Sequence, residues 1–589
     1  MPLMDATVKP NNSTEKACRQ IKARWLIPVL LALLFTLGDT VTSNEGTLNF
    51  DRGFILIKFV SFIIFFIVLF AFADRITKTL KKSKTETSNK GILSKLDYKL
   101  TFIDGLFFKQ NQISSAIRLT LIILVFWSPW IYLLKPGIYW SDTSQELLEH
   151  FGLATLSDHH PYFMTLILGW FADLGNTLFN SVSSGLFLLA CIQCLLAAYF
   201  FSRLLWETRD SGLRPSWTFL MILFVAVFPF IPIMFCSVVK DTLSCVLFLG
   251  FILQLMIIVK SKGEAITKPR VFVAIISFSL LASLVKKTTI YIVIICYIVM
   301  LLAYRKKEIA CRTASATIVV AIVVLIVFPK FILPANQVEP GGKQEIIATL
   351  IQQVAHDVKY NKETVTPKDQ NLIDDFLLRK CDEIPSIYNW QIVDPIKERG
   401  LQNESRMGEF IRLWAKNTLA NPRGHLEAWL GLVSGWITFR IDFQGSPNYM
   451  VILTYSGWHD KGINRCTDWN DQMTDGGKLV ETIYQTIQSI PLINVFFYRS
   501  TWATIVPTLA LFLLLGSSRR SRLERLVLIM PLLASLIPLA ITPVSIMGGE
   551  PTRYVFANVC TAPFLITASV LLNCRKDNSN SPSQFTAPN

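Results

Sequence analysis

Apolar runs close to the ~20 residues that cross a hydrocarbon core recur along almost the whole chain. They lie near 25–42, 53–73, 117–134, 184–205, 217–236, 239–259, 271–285, 288–304, 313–333, 500–516, 526–546 and 555–573. Of the residues, 52% are hydrophobic and 17% are charged, against roughly 25% charged in a soluble domain. Such a chain cannot hide its apolar surface without a bilayer. The expected fold is an all-α polytopic membrane protein of about twelve transmembrane helices.

A further run at 160–179 decides the orientation of everything after it, and loop charge resolves it. The segment 1–24 and the linker 74–116, with Lys78, Lys81, Lys82, Lys84, Lys90, Lys95 and Lys99, are basic and belong on the cytoplasmic side. If 160–179 does not span, the basic loops at 203–216, 260–270, 304–312 and 517–525 also fall inside, together with the C-terminal tail. The run is therefore expected to lie as a helix at the outer surface, with both termini cytoplasmic in a cell membrane. The net charge of +15 is explained by these loops, and a nucleic-acid role is excluded. Cations before Trp25 resemble a signal peptide, but no small-residue cleavage site follows Leu37, so a retained anchor is expected.

The resulting organisation is an N-terminal helix pair with its basic linker (1–116) and a core (117–333) carrying a first outer loop at 135–183. An outer domain (334–499), three closing helices (500–573) and a disordered tail (574–589) follow. The outer domain reads as mostly helical. Ile346, Ile347, Leu350, Ile351, Val354 and Val358 repeat at helical spacing. Thr366-Pro367 has the form of an N-cap and first-turn proline, and a helix is expected from Ser405 to about Leu419. Only Cys381 and Cys466 fall well inside this domain, a pair that a disulfide can join; no metal-type cysteine spacing is present.

Chemistry concentrates in the first outer loop, where Asp142 follows a span and Asp158-His159-His160-Pro161 precedes the surface helix. Asp142 can act as a general base on a hydroxyl, and Asp142 with His160 can hold a divalent cation, Mg or Mn, against a phosphate. Equally, Asp142 can cap a helix at 143–151, and Ser157 or Asp158 the next one. Tyr139 and Trp140 can be interfacial anchors. A second signal is positive charge against the local bias: Lys240 beside Asp241, Lys286 and Lys287 in a tight turn, Arg499, and Arg553 beside Glu550. Cations gathered at one membrane face suit a lipid phosphate. There is no nucleotide-binding loop and no His-Glu-x-x-His, and few acids lie inside spans, which argues against an ion-coupled transporter.

An outer acidic residue after an early span, two juxtamembrane helices with His-Pro at the start of the second, a multi-span core and a late outer domain resemble the GT-C superfamily of membrane glycosyltransferases. More closely, four stretches resemble a poorly characterised family of large membrane proteins from Gram-positive bacteria. They are Tyr139 to Gln145, His159-His160-Pro161 through Thr165, Gln352-Gln353-Val354-Ala355 with Val365-Thr366, and Arg553-Tyr554. His356 stands where that family often has arginine. The resemblance implies transfer of a sugar from a polyprenyl-phosphate donor to an envelope glycan, lipid or protein, with inversion. Asp142 would be the catalytic carboxylate, and His160 and Arg553 would line the cavity near the phosphate. Asp158, His159, Lys286, Lys287 and Arg499 complete the expected substrate-binding set. A lipid-linked glycan polymerase or ligase and a transporter or flippase are the alternatives.

Overall fold

The computed structural model describes residues 23–49, 52–80, 92–108, 111–454, 474–518, 521–541 and 550–572. Cys466, His459, most of the basic linker and the tail at 574–589 lie outside them. The described chain is helical, with paired backbone outside the helices limited to isolated bridges. A helix satisfies its own backbone polar groups, which hydrocarbon surroundings demand.

Eight helices are long and apolar enough to cross a membrane: Leu26–Ser43, Gly53–Thr79, Gln112–Leu133, Val182–Asp210, Lys240–Lys260, Lys307–Ala335, Arg522–Ile541 and Pro551–Leu571. The remaining four apolar runs form shorter helices, Pro215–Val227, Pro269–Val285, Thr289–Ala303 and Thr501–Leu515. Proline shapes several of these: it opens Pro215–Val227 and Pro269–Val285, and it interrupts the 522–541 segment at Pro531 near a break at Ser535.

Ion pairs mark one end of the bundle. Arg24 meets Asp74 at 3.1 Å, Arg214 meets Asp97 at 2.7 Å, Lys260 meets Glu207 at 2.7 Å and Lys306 meets Glu264 at 2.6 Å. Described cations of the loops read as cytoplasmic thus collect together. The opposite end carries the first loop and the 334–499 segment. These touch each other, the Asp158 amide donating to the Glu339 carbonyl at 2.7 Å.

The run at 160–179 becomes the helix Tyr162–Phe179, which is not one of the eight. It doubles back at Asn180, left-handed with φ 50, and packs antiparallel on the start of Val182–Asp210. Gln193 within that second helix donates to the Ser237 carbonyl at 3.3 Å, beside the start of Lys240–Lys260. The hairpin therefore starts and ends at the same end of the bundle. Its crossing depends on Gly175 and Gly185, which face one another without side chains.

The 334–499 segment has its own core, built from Ile347, Ile351, Val354, Ile373, Phe376, Phe410 and Leu413. The helix Ala348–Tyr360 buries Ile351, Val354 and Val358, whereas Ile346 precedes it and is 78% exposed. Thr366 caps Pro367–Phe376, accepting from the Asp369 amide at 3.3 Å, with proline in the first turn as expected. Met407–Ala420 ends before Asn421-Pro422.

A Cβ at position 185 would overlap the Phe171 carbonyl and the Gly175 Cα, both backbone atoms that cannot turn aside. Overpacking of this kind costs about 1–3 kcal/mol or more. Gly185→Val is expected to lower the melting temperature of the detergent-solubilised protein by several degrees. An unchanged melt would mean that the hairpin does not pack as described.

Candidate functional site

The site forms where the first loop runs beside the segment preceding Lys240. The Ile138 amide donates to the Cys236 carbonyl at 3.0 Å, and the Val238 amide donates to the Ile138 carbonyl at 2.9 Å. Thr143 Oγ1 donates to the Val238 carbonyl at 2.5 Å and accepts from the Trp140 amide at 3.3 Å. These bonds start the helix Ser141–His150 and set Asp142, in its first turn, against the start of Lys240–Lys260. Asp142 is thus inside the helix rather than capping one at 143–151.

Five charges alternate in a chain, with Asp142, Arg553 and Asp241 buried and Lys240 and Lys286 partly exposed: Lys240, Asp142, Arg553, Asp241, Lys286. Lys240 Nζ and Arg553 Nη1 both lie 2.7 Å from Asp142 Oδ2. Arg553 Nη1 is 3.4 Å from Asp241 Oδ2, and Lys286 Nζ is 2.6 Å from Asp241 Oδ1. Lys240 turns to Asp142 rather than to its sequence neighbour Asp241, and Arg553 reaches both Asp142 and Asp241. The guanidinium of Arg553 also lies over Trp140 at 5.4 Å and Tyr554 at 5.6 Å, a stacking that arginine makes readily. Beside this chain, Lys287 Nζ pairs with Asp158 Oδ2 at 2.8 Å and also reaches the Asp158 carbonyl.

The charge chain sets the protonation of its neighbours. Burial alone would raise the Asp142 carboxyl, but Arg553 and Lys240 hold it well below the usual carboxylate range. Burial, reinforced by Lys240, holds the His160 imidazole well below its ordinary value. It is therefore neutral, and its Nδ1 faces the Lys240 ammonium at 3.1 Å. His159 is also pushed down by burial, and its ring lies edge-on to His160 at 4.6 Å. Glu146, one turn beyond Asp142 on the same helical face, is raised well above the usual range by burial, and neither of its carboxyl oxygens has a hydrogen-bond partner among the described residues. The spacing from Asp142 to Glu146 was the signal for it in the sequence.

Lys240, Asp241, Lys286, Lys287, Arg553 and His159 line a cavity of about 230 Å³. Phe248, Ile292, Leu539 and Ala557, from four apolar helices, line it as well, with Ser244, Ser535 and Asn558 among them. The structure brings Asp142, Asp158, His159, His160, Lys286, Lys287 and Arg553 into or directly behind this cavity. Arg499 is not among the residues that line it: it is fully buried, and its amide donates to the Asn448 carbonyl at 3.2 Å. The missed lining group is Asp241, hidden in the sequence by its apparent pairing with Lys240.

A divalent cation does not suit this arrangement. The Lys240 ammonium stands between Asp142 Oδ2 and His160 Nδ1, the two groups expected to ligate it, and Arg553 takes a further position on the same oxygen. No cluster of three or more ligating side chains occurs among the described residues.

The chain belongs to DUF6020, a family of unknown function, whose profile matches residues 148–583. No curated protein and no solved structure matches it.

Removing one member of a buried ion pair leaves its partner uncompensated, at a cost of about 3–5 kcal/mol. Asp142→Ala is therefore expected to lower the melting temperature strongly, and an unchanged melt would mean the charge chain does not hold the helix ends. His160 gives a pH signature. Its folded value is depressed below the ordinary ~6.5, so the unfolded chain binds a proton that the fold excludes. The stability it contributes is full above about pH 6.5 and is lost as pH falls towards its folded value. The melting temperature should fall between about pH 7 and about pH 5, and less steeply in His160→Gln. An identical slope in the variant would show that His160 is not held neutral.

Proposed function

We propose that the protein is a membrane glycosyltransferase that moves a sugar from a polyprenyl-phosphate donor to a cell-envelope acceptor. The observation that carries the reading is the cavity itself, lined by Lys240, Lys286, Lys287 and Arg553 together with apolar side chains from four apolar helices. A lipid phosphate is the ligand class with that polarity. In this reading all twelve apolar runs cross the cell membrane, the termini are cytoplasmic, and the cavity opens on the outer face beneath the 334–499 domain.

The donor phosphate rests against Lys286, Lys287 and Arg553, and the prenyl chain follows Phe248, Ile292 and Leu539. The acceptor hydroxyl attacks the anomeric carbon, and polyprenyl phosphate leaves with the electron pair of the broken bond. Cations held ready at the leaving phosphate stabilise the charge that develops on it. Lys240 and Arg553 are fixed from behind by Asp142. Asp142 is a weak base while both cations sit on it, so in this reading it orients them. No step runs through a metal.

The test replaces Arg553 with Gln in the producing cell and compares envelope glycans with wild type and a deletion strain, at matched membrane levels. Loss of one donor to a developing phosphate charge costs about 100-fold or more in rate. The expected result is loss of the same sugar in the variant and the deletion. A deletion that leaves every envelope glycan unchanged would overturn the proposal, and a deletion that changes only polymer chain length would favour the ligase reading.

A further inference from the structure

We propose that the cavity seats the sugar of the donor beside its phosphate, with Thr289 and Asn558 accepting hydrogen bonds from the sugar hydroxyls; the inference rests on the glycosyltransferase reading above. The hydrogen-bond wiring of four neutral polar residues that line the cavity, Ser244, Thr289, Ser535 and Asn558, carries it. Asn558 is 4% exposed. Its Nδ2 donates to the Trp502 carbonyl at 3.0 Å and to Ser535 Oγ at 2.9 Å. A carbonyl can only accept, so Trp502 fixes which way the Asn558 amide is turned. Ser535 Oγ donates its own hydrogen to the Leu532 carbonyl at 2.7 Å. Ser244 Oγ donates to the Ala282 carbonyl at 3.1 Å, so the 3.2 Å bond between Ser244 and Thr289 takes its hydrogen from Thr289. Every polar hydrogen of these four side chains is therefore committed within the protein. What they offer a ligand is acceptors, chiefly Asn558 Oδ1 and Thr289 Oγ1, to which no described residue donates. The neighbouring Thr288 also lines the cavity, with a hydroxyl that can bond in either direction.

A buried acceptor left without a donor is unfavourable, so the cavity selects a ligand that brings donors. An ionised phosphodiester has none, and neither has a prenyl chain. In a polyprenyl-phosphate sugar the donors belong to the sugar. The placement of the acceptors agrees with this. Ser244 lies one turn beyond Lys240 in the same helix, and Thr289 and Asn558 follow Lys286 and Arg553 by three and five residues. A helical turn rises about 5.4 Å, a distance that a ring bonded directly to the phosphate can cover. The phosphate thus meets the cations while the hydroxyls of the attached sugar meet the acceptors about one turn along. Such a site also discriminates between donor and product. The bare polyprenyl phosphate left after transfer cannot pair with Asn558 and Thr289, so it is the poorer ligand and gives way to the next donor.

The experiment incubates the purified full-length protein with the polyprenyl-phosphate lipids extracted from the producing cell. Native mass spectrometry then gives the ratio of sugar-bearing to bare polyprenyl phosphate bound, relative to their ratio in the extract. Wild type is expected to favour the sugar-bearing lipid by about tenfold or more. Thr289→Val and Asn558→Leu each remove one free acceptor. Each is expected to lower that preference about three- to tenfold while bare polyprenyl phosphate binds as in wild type, because the cations remain. Thr289→Ser keeps the acceptor and is expected to keep the preference. An equally lowered preference in Thr289→Ser, or weakened binding of bare polyprenyl phosphate in Thr289→Val, would make the role structural and overturns the inference. An unchanged preference in both Thr289→Val and Asn558→Leu overturns it as well; if transfer in the producing cell is nevertheless lost, the hydroxyls belong to the acceptor and not to the donor. A wild type that binds both lipids equally overturns this inference alone, whereas one that binds neither overturns the transferase reading itself. If Asn558→Leu does not accumulate, the comparison of Thr289→Val with Thr289→Ser decides.

Discussion

The buried chain of alternating charges is the constraint on which the rest of the architecture depends. Lys240, Asp142, Arg553, Asp241 and Lys286 come from four separate parts of the sequence, and all are mostly removed from water. Moving one charge out of water costs several kcal/mol unless a partner answers it. Each therefore requires the others at a defined place, and the helix ends carrying them are fixed together. The chain also respects the helix dipole. Asp142 and Asp241 occupy first turns, where negative charge is favoured, while Lys240 at a first turn is offset by Asp142.

The same interactions shape the cavity. Asp142 anchors Arg553 and Lys240, which line a space that apolar side chains such as Phe248, Ile292 and Leu539 also line. The first loop and the 334–499 domain meet above it through Asp158 and Glu339, so the mouth is framed by two segments distant in the chain. An amphiphilic space framed in this way is suited to a ligand with one anionic group and a long apolar tail. In the proposed reading that ligand is a lipid phosphate.

Several functional residues were legible because they break local rules. Lys286, Lys287 and Arg553 put positive charge where the loop bias is otherwise absent, and Asp142 and His160 interrupt a stretch of interfacial aromatics. Their partners were not legible. Lys240 and Asp241 are adjacent, yet successive side chains on a helix diverge by about 100°, so one reaches Asp142 and the other reaches Lys286. Arg499 looked like the other cations but is buried elsewhere, because nothing local distinguishes a cation facing a cavity from one packed against the Asn448 segment. Glu146 was visible only as a helical repeat of Asp142, and its burial depends on helices that arrive later in the chain.

The sequence by itself determined the class of fold. Apolar runs of bilayer length leave the backbone no option but helix, and the distribution of lysine and arginine separates the two ends of the bundle. It also determined local features such as the Thr366 cap and the stop before Asn421-Pro422, since these depend on residues within one helical turn. Tertiary structure alone decided which carboxylate faces the cavity, which cations share an oxygen, and that Tyr162–Phe179 folds back as a hairpin on a glycine contact. Those outcomes follow from close packing between segments far apart in the chain, where a few ångströms decide whether two charges meet.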